Sequence, residues 1–219
     1  MARIARLVVP NFPHHITQRG SRRQKTFFCR EDYQYYLELM RQSKGNAGVR
    51  IWAYCLMPNH VHLVAVPKTA ESLARFLRTL NRAYAMKINQ RMGWKGHLWQ
   101  ERFHSFVMDE RHLYAAVRYV ELNPVRAKLC DAAENWRWSS ARAHMLGCGD
   151  GNVEAQPMLD RVGDWRSYLQ HEVPDSLERS IRGHTRTGRP AGSNEFIEQL
   201  ERLTGRALKR QKPGPRPRK

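Results

Sequence analysis

The sequence has few acidic residues, no long apolar run and few cysteines. Only 20 Asp and Glu side chains stand against 38 Lys and Arg in 219 residues, so the formal net charge is +18. No apolar stretch approaches the roughly 18 residues that a membrane-spanning helix needs, which excludes a membrane protein. The apolar stretch before Pro10 is shorter than the roughly 7 to 15 residues of a secretory signal, so we expect no export.

The four cysteines are scattered along the chain, with no C-x-x-C spacing. This pattern excludes a disulfide framework and a thiolate zinc cluster, and it predicts small buried or half-buried thiols in a reducing cytoplasm. The residues concerned are Cys29, Cys55, Cys130 and Cys148.

The excess of positive charge predicts a polyanionic partner, because such a chain repels itself and other cations. Nucleic acid is the leading candidate and an anionic membrane surface the alternative. Apolar residues make up 41% and charged residues 26% of the chain, close to the globular average, so a core can form. We therefore expect a cytoplasmic, nucleoid-associated protein, with a monomer favoured over an oligomer.

The charge divides the chain into three parts. Residues 1–147 carry 24 basic and 10 acidic side chains, residues 148–178 carry 2 and 7, and residues 179–219 carry 12 and 3. This composition predicts a basic domain, an exposed and mobile acidic spacer, and a basic extension. In the extension, Phe196, Ile197, Leu200 and Leu203 predict one short amphipathic helix, and residues 209–219 predict a disordered tail.

Within residues 1–147, strand and helix patterns alternate. Predicted strands cover residues 14–19, 49–56, 60–66 and 103–108, and helices follow the first and the third of them. Another helix begins after Asp109 and ends near Asn123, because Pro124 disfavours helical geometry in the residue before it. The order β-α-β-β-α-β and then a helix predicts an α+β fold: a ferredoxin-like antiparallel sheet with helices on one face.

The segment His60-Val61-His62 is the sharpest local feature. In a strand, residues i and i+2 point to one face, so both imidazoles project together while Val61 faces the core. Two neutral imidazoles form half of a divalent-metal site. The alternative is two hydrogen-bonded surface histidines.

Tyr119 and Asn123 stand four residues apart, which on a helix puts the phenol and the amide on one face. A tyrosine that acts as a nucleophile beside a metal ligand needs this closeness. Alternatively, Tyr119 is a half-buried aromatic residue and Asn123 ends the helix before Pro124. Tyr114 is on the same helix, but its i+4 neighbour is Arg118, which cannot bind a metal.

Aromatic and basic residues are interleaved in the segment 96–103, a pattern that suits base stacking and phosphate contact. Alternatively, this loop pins its Trp into the core. Together with the arginines after the first strand and those on the polar face of the second helix, the predicted DNA-binding set is Arg19, Arg22, Arg23, Arg75, Arg78, Arg82, Trp99, Gln100, Arg102 and Phe103.

Four blocks of residues occur in order along the chain. They are Leu56-Met57-Pro58-Asn59-His60-Val61-His62-Leu63, Gly96-x-Leu98-Trp99-Gln100-x-Arg102-Phe103, Tyr119-x-x-Leu122-Asn123-Pro124-Val125-Arg126-Ala127 and Trp136-x-Trp138-Ser139-Ser140. In this order and at these intervals they resemble the REP-associated tyrosine transposases, a branch of the single-tyrosine HUH transposases of insertion sequences. The resemblance covers about residues 1–147. In addition, Thr187-Gly188-Arg189-Pro190 and the basic tail resemble C-terminal extensions of this branch.

The resemblance implies His60, His62 and Asn123 as ligands of Mg²⁺ or Mn²⁺ and Tyr119 as the nucleophile. It implies cleavage of single-stranded DNA at REP-type hairpins through a 5′-phosphotyrosine, followed by strand transfer. Two alternatives are a repeat-DNA-binding or regulatory protein that keeps the fold without turnover, and an RNA-binding protein with a similar sheet.

Overall fold

The computed structural model describes residues 5–171 and 174–209. Its centre is a sheet of β1 (His14–Arg19), β2 (Val49–Met57), β3 (His60–Pro67) and β4 (His104–Val107). The spatial order is β2-β3-β1-β4, and every neighbouring pair is antiparallel. The predicted α+β class and antiparallel ferredoxin-like sheet are confirmed, with strand ends within one residue of those expected.

The helices lie in connections between the strands and along the described C-terminal part of the chain. They are α1 (Arg30–Ala47), α2 (Ser72–Met92), α3 (Glu110–Glu121), α4 (Asn123–Arg126), α5 (Ala141–Met145), α6 (Gln156–Leu159), α7 (Trp165–Gln170), α8 (Asp175–Thr187) and α9 (Asn194–Thr204). Among the described residues, no helix is long and apolar enough to cross a membrane.

The helix ends follow local chemistry. Gly48 and Gly93 end α1 and α2 with φ of 65° and 66°, a region that only glycine enters at little cost. Asp109 accepts a hydrogen bond from the His112 backbone N–H and so caps α3. At the other end Pro124 has no N–H to donate, and α3 gives way at Leu122 to the short helix α4.

Both faces of the sheet are covered. One face carries Ile16, Leu63 and Ala65 and packs against α1 and α2, as the sequence predicts for the helices of the β-α-β-β-α-β unit. The other face carries Val64 and Phe106 and packs against α3 and the chain that follows it. This second layer was not expected from the sequence.

The acidic segment 148–178 is not the exposed spacer that its charge suggests. Met158 is wholly buried, and Trp165 and Leu169 are also buried, in the core layer that contains α3. Because the segment contains seven acidic side chains, its composition indicates an exposed segment and does not reveal these few buried apolar residues. Because apolar side chains set the packing, we propose that this segment belongs to the same folding unit as the sheet.

The basic extension contains two helices where one was expected. The helix with Phe196, Ile197 and Leu200 forms as α9, and α8 was missed. Residues 210–219, most of the tail expected to be disordered, lie outside the described residues.

The four cysteines are unpaired thiols, and the expectation of burial holds for two of them. Cys55 is buried in the sheet and Cys130 is half-buried, whereas Cys29 and Cys148 are exposed. Cys29 precedes α1 and Cys148 follows α5, so both lie where the chain turns at the surface.

Irregular chain covers the outer edges of the sheet. Along β2, Leu56 N–H donates to the Trp138 carbonyl at 2.9 Å, and Glu154 N–H donates to the Ile51 carbonyl at 2.8 Å. Along β4, Ala191 N–H donates to the Val107 carbonyl at 2.9 Å. The sheet therefore ends in paired backbone groups on both sides.

Candidate active site

Three of the predicted catalytic residues meet on the α3 face of the sheet. His60 and His62 alternate with buried Val61, and their ring centroids are 4.9 Å apart. Tyr119 lies on α3, and its ring centroid is 5.6 Å from that of His62. Asn123, one turn further, begins α4. The alternation along β3 therefore places the two imidazoles together, whereas α3 ends before Asn123.

Burial keeps both histidines neutral. Burial, with a smaller contribution from the nearby charge of Arg19, lowers the pKa of His60 to about 3. Burial also brings the pKa of His62 well below 6.5, with smaller contributions from His60 and from His15 on β1. Neutral imidazole is the form that binds a metal ion, so the pair can act as ligands across the physiological pH range.

The Nδ1 atom of each histidine is engaged on the side away from solvent. His60 Nδ1 donates to Asn59 Oδ1 at 2.6 Å. His62 Nδ1 lies 3.0 Å from His15 Nε2 in a buried hydrogen bond. Among the described residues, neither Nε2 atom has a hydrogen-bond partner.

The donor set fits a hard divalent ion. Asn123 Nδ2 is buried without a partner, so this amide is not committed to another contact in the described chain. No three His, Cys, Asp or Glu side chains of the described residues are grouped so as to hold a metal. Two imidazoles together with the amide oxygen of Asn123 would make a mixture of N and O ligands that suits Mg²⁺ or Mn²⁺.

Positive charge surrounds Tyr119. The Arg126 guanidinium lies 4.1 Å from the centroid of the ring, and its Nη2 donates to the Tyr119 carbonyl at 2.9 Å. A side-chain hydrogen bond to Tyr119 is the main cause that raises the pKa of Arg182, on α8. Glu178 joins the two arginines, at 3.8 Å from Arg126 and 2.6 Å from Arg182. This arrangement can bind a phosphate group beside the Tyr119 ring.

Four residues around the site were not predicted from the sequence: Arg182, Arg126, His15 and Asn59. Arg126 and Asn59 stand inside the quoted blocks, one residue or one turn from a predicted ligand, so their spacing was an available signal. On β1, His15 faces the same side of the sheet as Thr17 and Arg19. One sequence does not show that β1 is the strand that pairs with β3, so the contact of His15 with His62 could not be predicted. No local pattern indicates Arg182.

A buried carboxylate fixes the helix that carries Tyr119. Glu121 is wholly buried and accepts hydrogen bonds from Ser140 Oγ at 2.5 Å, His144 Nδ1 at 2.6 Å and Trp165 Nε1 at 2.9 Å. Since a buried carboxylate without donors costs several kcal/mol, these partners are needed for α3 to stay in place.

A second feature is a groove of about 770 Å³ between α2 and the loop 96–103, on the opposite face of the sheet. Its wall includes six of the predicted DNA-binding residues, and amide side chains lie between the arginines. The predicted residues are Arg78, Arg82, Trp99, Gln100, Arg102 and Phe103, and the amides are Gln18, Asn81 and Asn89.

The aromatic residues of this loop form the wall and do not project from it. Trp99 is buried in the core of α1 and α2, and its Nε1 donates to the Asn81 carbonyl at 3.1 Å. Phe103 is buried beneath the Arg6 guanidinium, which lies 3.6 Å from the ring centroid. Of the two interpretations of this loop, pinning into the core holds for Trp99.

Arg75 lies apart from the groove. Its Nη2 donates to the Ala47 carbonyl at 2.9 Å and so serves the end of α1. It is absent from the groove wall, unlike Arg78 and Arg82 one and two turns further along the same helix. The predicted role of Arg75 in DNA contact has no support in this placement.

The loop after β1 joins the groove to the catalytic face. Arg22 and Arg23 both have positive φ, 53° and 61°, which is uncommon for residues other than glycine. The loop is held by Ser21 Oγ, which donates to the His97 carbonyl at 2.8 Å, and by Asn59 Nδ2, which donates to the Arg23 carbonyl at 3.0 Å. Strained backbone fixed from two sides presents two exposed guanidinium groups.

Comparison with known proteins gives a family and a fold. The model of the IS200-like transposase family matches residues 8–123, more than half of the chain. A REP-associated tyrosine transposase solved with a REP hairpin is 18% identical, with a TM-score of 0.57 over 69% of this chain and 90% of that one. A protein of Deinococcus radiodurans R1 with a transposase description is 19% identical, with a TM-score of 0.38 over 61% of this chain and 97% of that one. No curated protein matches significantly.

The matched span contains His60, His62, Tyr119 and Asn123 and the whole four-stranded sheet. The structural similarity to the REP-associated enzyme shows that the two proteins share a fold. Family membership assigns a transposase-like role in DNA processing. The chain belongs to the family of IS200-like transposases.

Proposed function

We propose that this chain is a metal-dependent endonuclease and strand transferase for single-stranded DNA, and that it acts at hairpin-forming repeats. The observation that carries the proposal is the position of Tyr119, which lies 5.6 Å from His62 by ring centroids and beneath Arg126. A tyrosine, two neutral histidines and arginines on one sheet face are the parts that phosphodiester cleavage by a side-chain nucleophile requires.

In the proposed reaction, the Tyr119 oxygen attacks the scissile phosphorus while the hydroxyl proton leaves. The bond from phosphorus to the 3′ oxygen breaks, so the products are a 5′-phosphotyrosine and a free 3′-hydroxyl. The phosphodiester energy is retained, and a 3′-hydroxyl can reverse the step and join strands. When bound, Mg²⁺ or Mn²⁺ supplies charge neutralisation at the scissile phosphate.

The arginines around Tyr119 have a role before attack. Tyrosine has a pKa of about 10 in water and is a weak nucleophile in its neutral form. The hydrogen bond to Arg182 orients the hydroxyl for attack, and the charges of Arg182 and Arg126 lie beside the position of the scissile phosphate. Both cations also complement the charge of the DNA backbone.

The DNA path follows the basic surface from the groove to Tyr119. Arg78, Arg82 and Arg102 offer charge along the groove, and exposed Arg22 and Arg23 lie between the groove and the catalytic face. Guanidinium groups supply phosphate contacts, and the amide side chains of the groove can read unpaired base edges. The REP hairpin bound to the structurally similar transposase supports a hairpin as the substrate class.

The test is adduct formation on labelled single-stranded DNA that carries a hairpin, with Mn²⁺ or Mg²⁺. A protein–DNA adduct that survives a denaturing gel, and that excess chelator abolishes, supports the proposal. Hairpin binding without any adduct would favour a non-catalytic repeat-binding protein. Equal affinity for a matched RNA hairpin would favour an RNA-binding protein, because only a site that tolerates the 2′-hydroxyl gives that result.

A further inference from the structure

In both His60 and His62, the Nδ1 atom makes a hydrogen bond within the protein, although the partner residues differ. Each Nδ1 faces a polar atom inside the protein, at 2.6 Å for His60 and 3.0 Å for His62. A neutral imidazole carries one proton, so the partner of Nδ1 decides whether the lone pair on Nε2 is free for a cation.

The structure determines the proton position on His60. Asn59 Nδ2 donates to the Arg23 carbonyl at 3.0 Å, which fixes the orientation of the amide and turns Oδ1 towards His60. An amide oxygen only accepts, so His60 must donate through Nδ1. Its Nε2 then carries a lone pair.

The hydrogen bond between His15 and His62 allows two proton arrangements. If His62 donates through Nδ1, its Nε2 lone pair is free and His15 carries its proton on Nδ1. If His15 donates through Nε2, His62 carries its proton on Nε2 and has no lone pair left for a cation. His15 Nδ1 is buried without a partner, so the rest of the described chain does not fix the choice.

We infer that Asn59 and His15 are positioning residues that hold both histidines with the proton on Nδ1 and the lone pair on Nε2. This inference rests on the proposed metal-dependent function. If Nε2 of His62 is to bind a cation, His15 has to be the acceptor of this bond, and its place is fixed: its ring lies beside that of His62, with centroids 5.2 Å apart and planes 24° apart, and it is 1% exposed. A residue so enclosed has one fixed direction in which to accept. Such outer partners typically change metal affinity 10- to 100-fold.

The first experiment determines the tautomers directly. Long-range ¹H–¹⁵N NMR correlations of the imidazole nitrogens, recorded on the full-length protein with Mg²⁺ at neutral pH, distinguish a proton on Nδ1 from one on Nε2. We expect Nδ1 protonation of His60 and His62. A proton on Nε2 of His62 would overturn the role of His15, and a proton on Nε2 of His60 that of Asn59.

The second experiment measures Mn²⁺ affinity from the electron paramagnetic resonance signal of the free ion. His15→Leu, which cannot accept, should weaken binding 10- to 100-fold, and His15→Gln, which can accept, should stay within about threefold of the wild type. Asn59→Ala should weaken binding similarly, whereas Asn59→Asp keeps an acceptor and should not. His104→Gln is the control, because His104 lies on the same sheet face but bonds to Thr185 and Glu101.

The two proposals fail in different ways. If the wild type and His60→Ala bind Mn²⁺ equally weakly, the metal-dependent function itself is wrong. If His60→Ala loses affinity while His15→Leu and Asn59→Ala bind as the wild type does, only the positioning roles are wrong. The NMR measurement on the wild type tests the positioning roles even if a variant does not fold.

Discussion

At the scale of single residues, the hydroxyl of Tyr119 is the group on which the proposed reaction depends. Tyr119→Phe removes one oxygen and keeps the packing against His62, so folding and hairpin affinity should stay within about twofold while adduct formation disappears. A denaturing gel and a binding titration measure the two properties. Tyr114→Phe on the same helix is the control and should keep the adduct. Persistence of an adduct in Tyr119→Phe would identify another nucleophile.

Arg182 offers a separate test at this scale, because it lies outside the family-matched span. Arg182→Gln removes the charge beside the Tyr119 hydroxyl and should slow adduct formation about tenfold, with hairpin affinity nearly unchanged. Arg182→Lys should recover part of the rate. The exposed Arg179 on the same helix provides Arg179→Gln as the matched control. If both Gln variants slow the reaction equally, Arg182 acts only through its contribution to the net positive charge of the protein.

Buried neutral histidines make the stability depend on pH. Burial lowers the pKa of His14 to about 4 and that of His15 to about 3, from 6.5 in the unfolded chain. Between these values only the unfolded state takes up the proton, so the free energy of unfolding should fall as pH drops from about 6.5 to 4, by up to ~1.4 kcal/mol per pH unit for each histidine.

Urea unfolding across this pH range measures the slope. His14→Leu should reduce the slope by up to ~1.4 kcal/mol per pH unit, whatever its effect at neutral pH. His97→Gln alters an exposed histidine and should leave the slope unchanged. A slope that is equal in the wild type and in His14→Leu would contradict the burial argument.

At the scale of elements, α3 depends on the three donors around Glu121. Glu121→Ala leaves the buried donors of Ser140, His144 and Trp165 without their acceptor, so the free energy of unfolding should drop by about 3 kcal/mol. Urea titration measures the loss. Glu110→Ala, at an exposed position of the same helix, should cost less than about 0.5 kcal/mol. An equally small loss for Glu121→Ala would mean that packing alone holds α3.

The sequence predicts an element well wherever one periodicity dominates. Alternation in β3 is enough to group His60 with His62. The i, i+4 relation of Tyr119 and Asn123 stays a prediction, because α3 ends at Glu121 and Asn123 begins α4. The packing of residues 148–187 onto α3 is not predicted, because their few buried side chains, such as Trp165, stand among charges and, before α8, in helices too short to show a period. Long-range partners such as His15 and Arg182 depend on strand order and helix docking, which local spacing does not contain.

At the scale of the whole molecule, two deletions can distinguish the contribution of the basic tail to DNA binding from the contribution of the C-terminal segments to folding. Residues 210–219 contain five Lys and Arg residues. If they reach DNA, their deletion should make the plot of log affinity against log salt shallower, by up to roughly 0.7 per lost phosphate contact on single strands. The preference for a cognate hairpin over a scrambled one should change little. Equal salt slopes for both proteins would show that this tail does not contact DNA.

A truncation after residue 147 should behave differently. It removes Met158, Trp165 and Ile181 from the core layer of α3, and it removes the Trp165 donor from Glu121. We expect a protein without a cooperative unfolding transition, visible by calorimetry, while the deletion of residues 210–219 keeps the transition. A cooperative and active fragment 1–147 would show that the charge-based boundary is also a folding boundary.

The covered edges of the sheet bear on how copies of this protein can assemble. An open edge strand invites another chain to add a strand, which leads to sheet-extended dimers and to fibrous aggregates. Here the outer groups of Tyr54 and Leu56 on β2 are paired with residues 138–140, and Val107 on β4 is paired with Ala191. A second copy that added a strand at these positions would have to displace the protein's own chain, which favours association through side-chain surfaces. A protein of this charge can therefore concentrate on DNA with little tendency to polymerise.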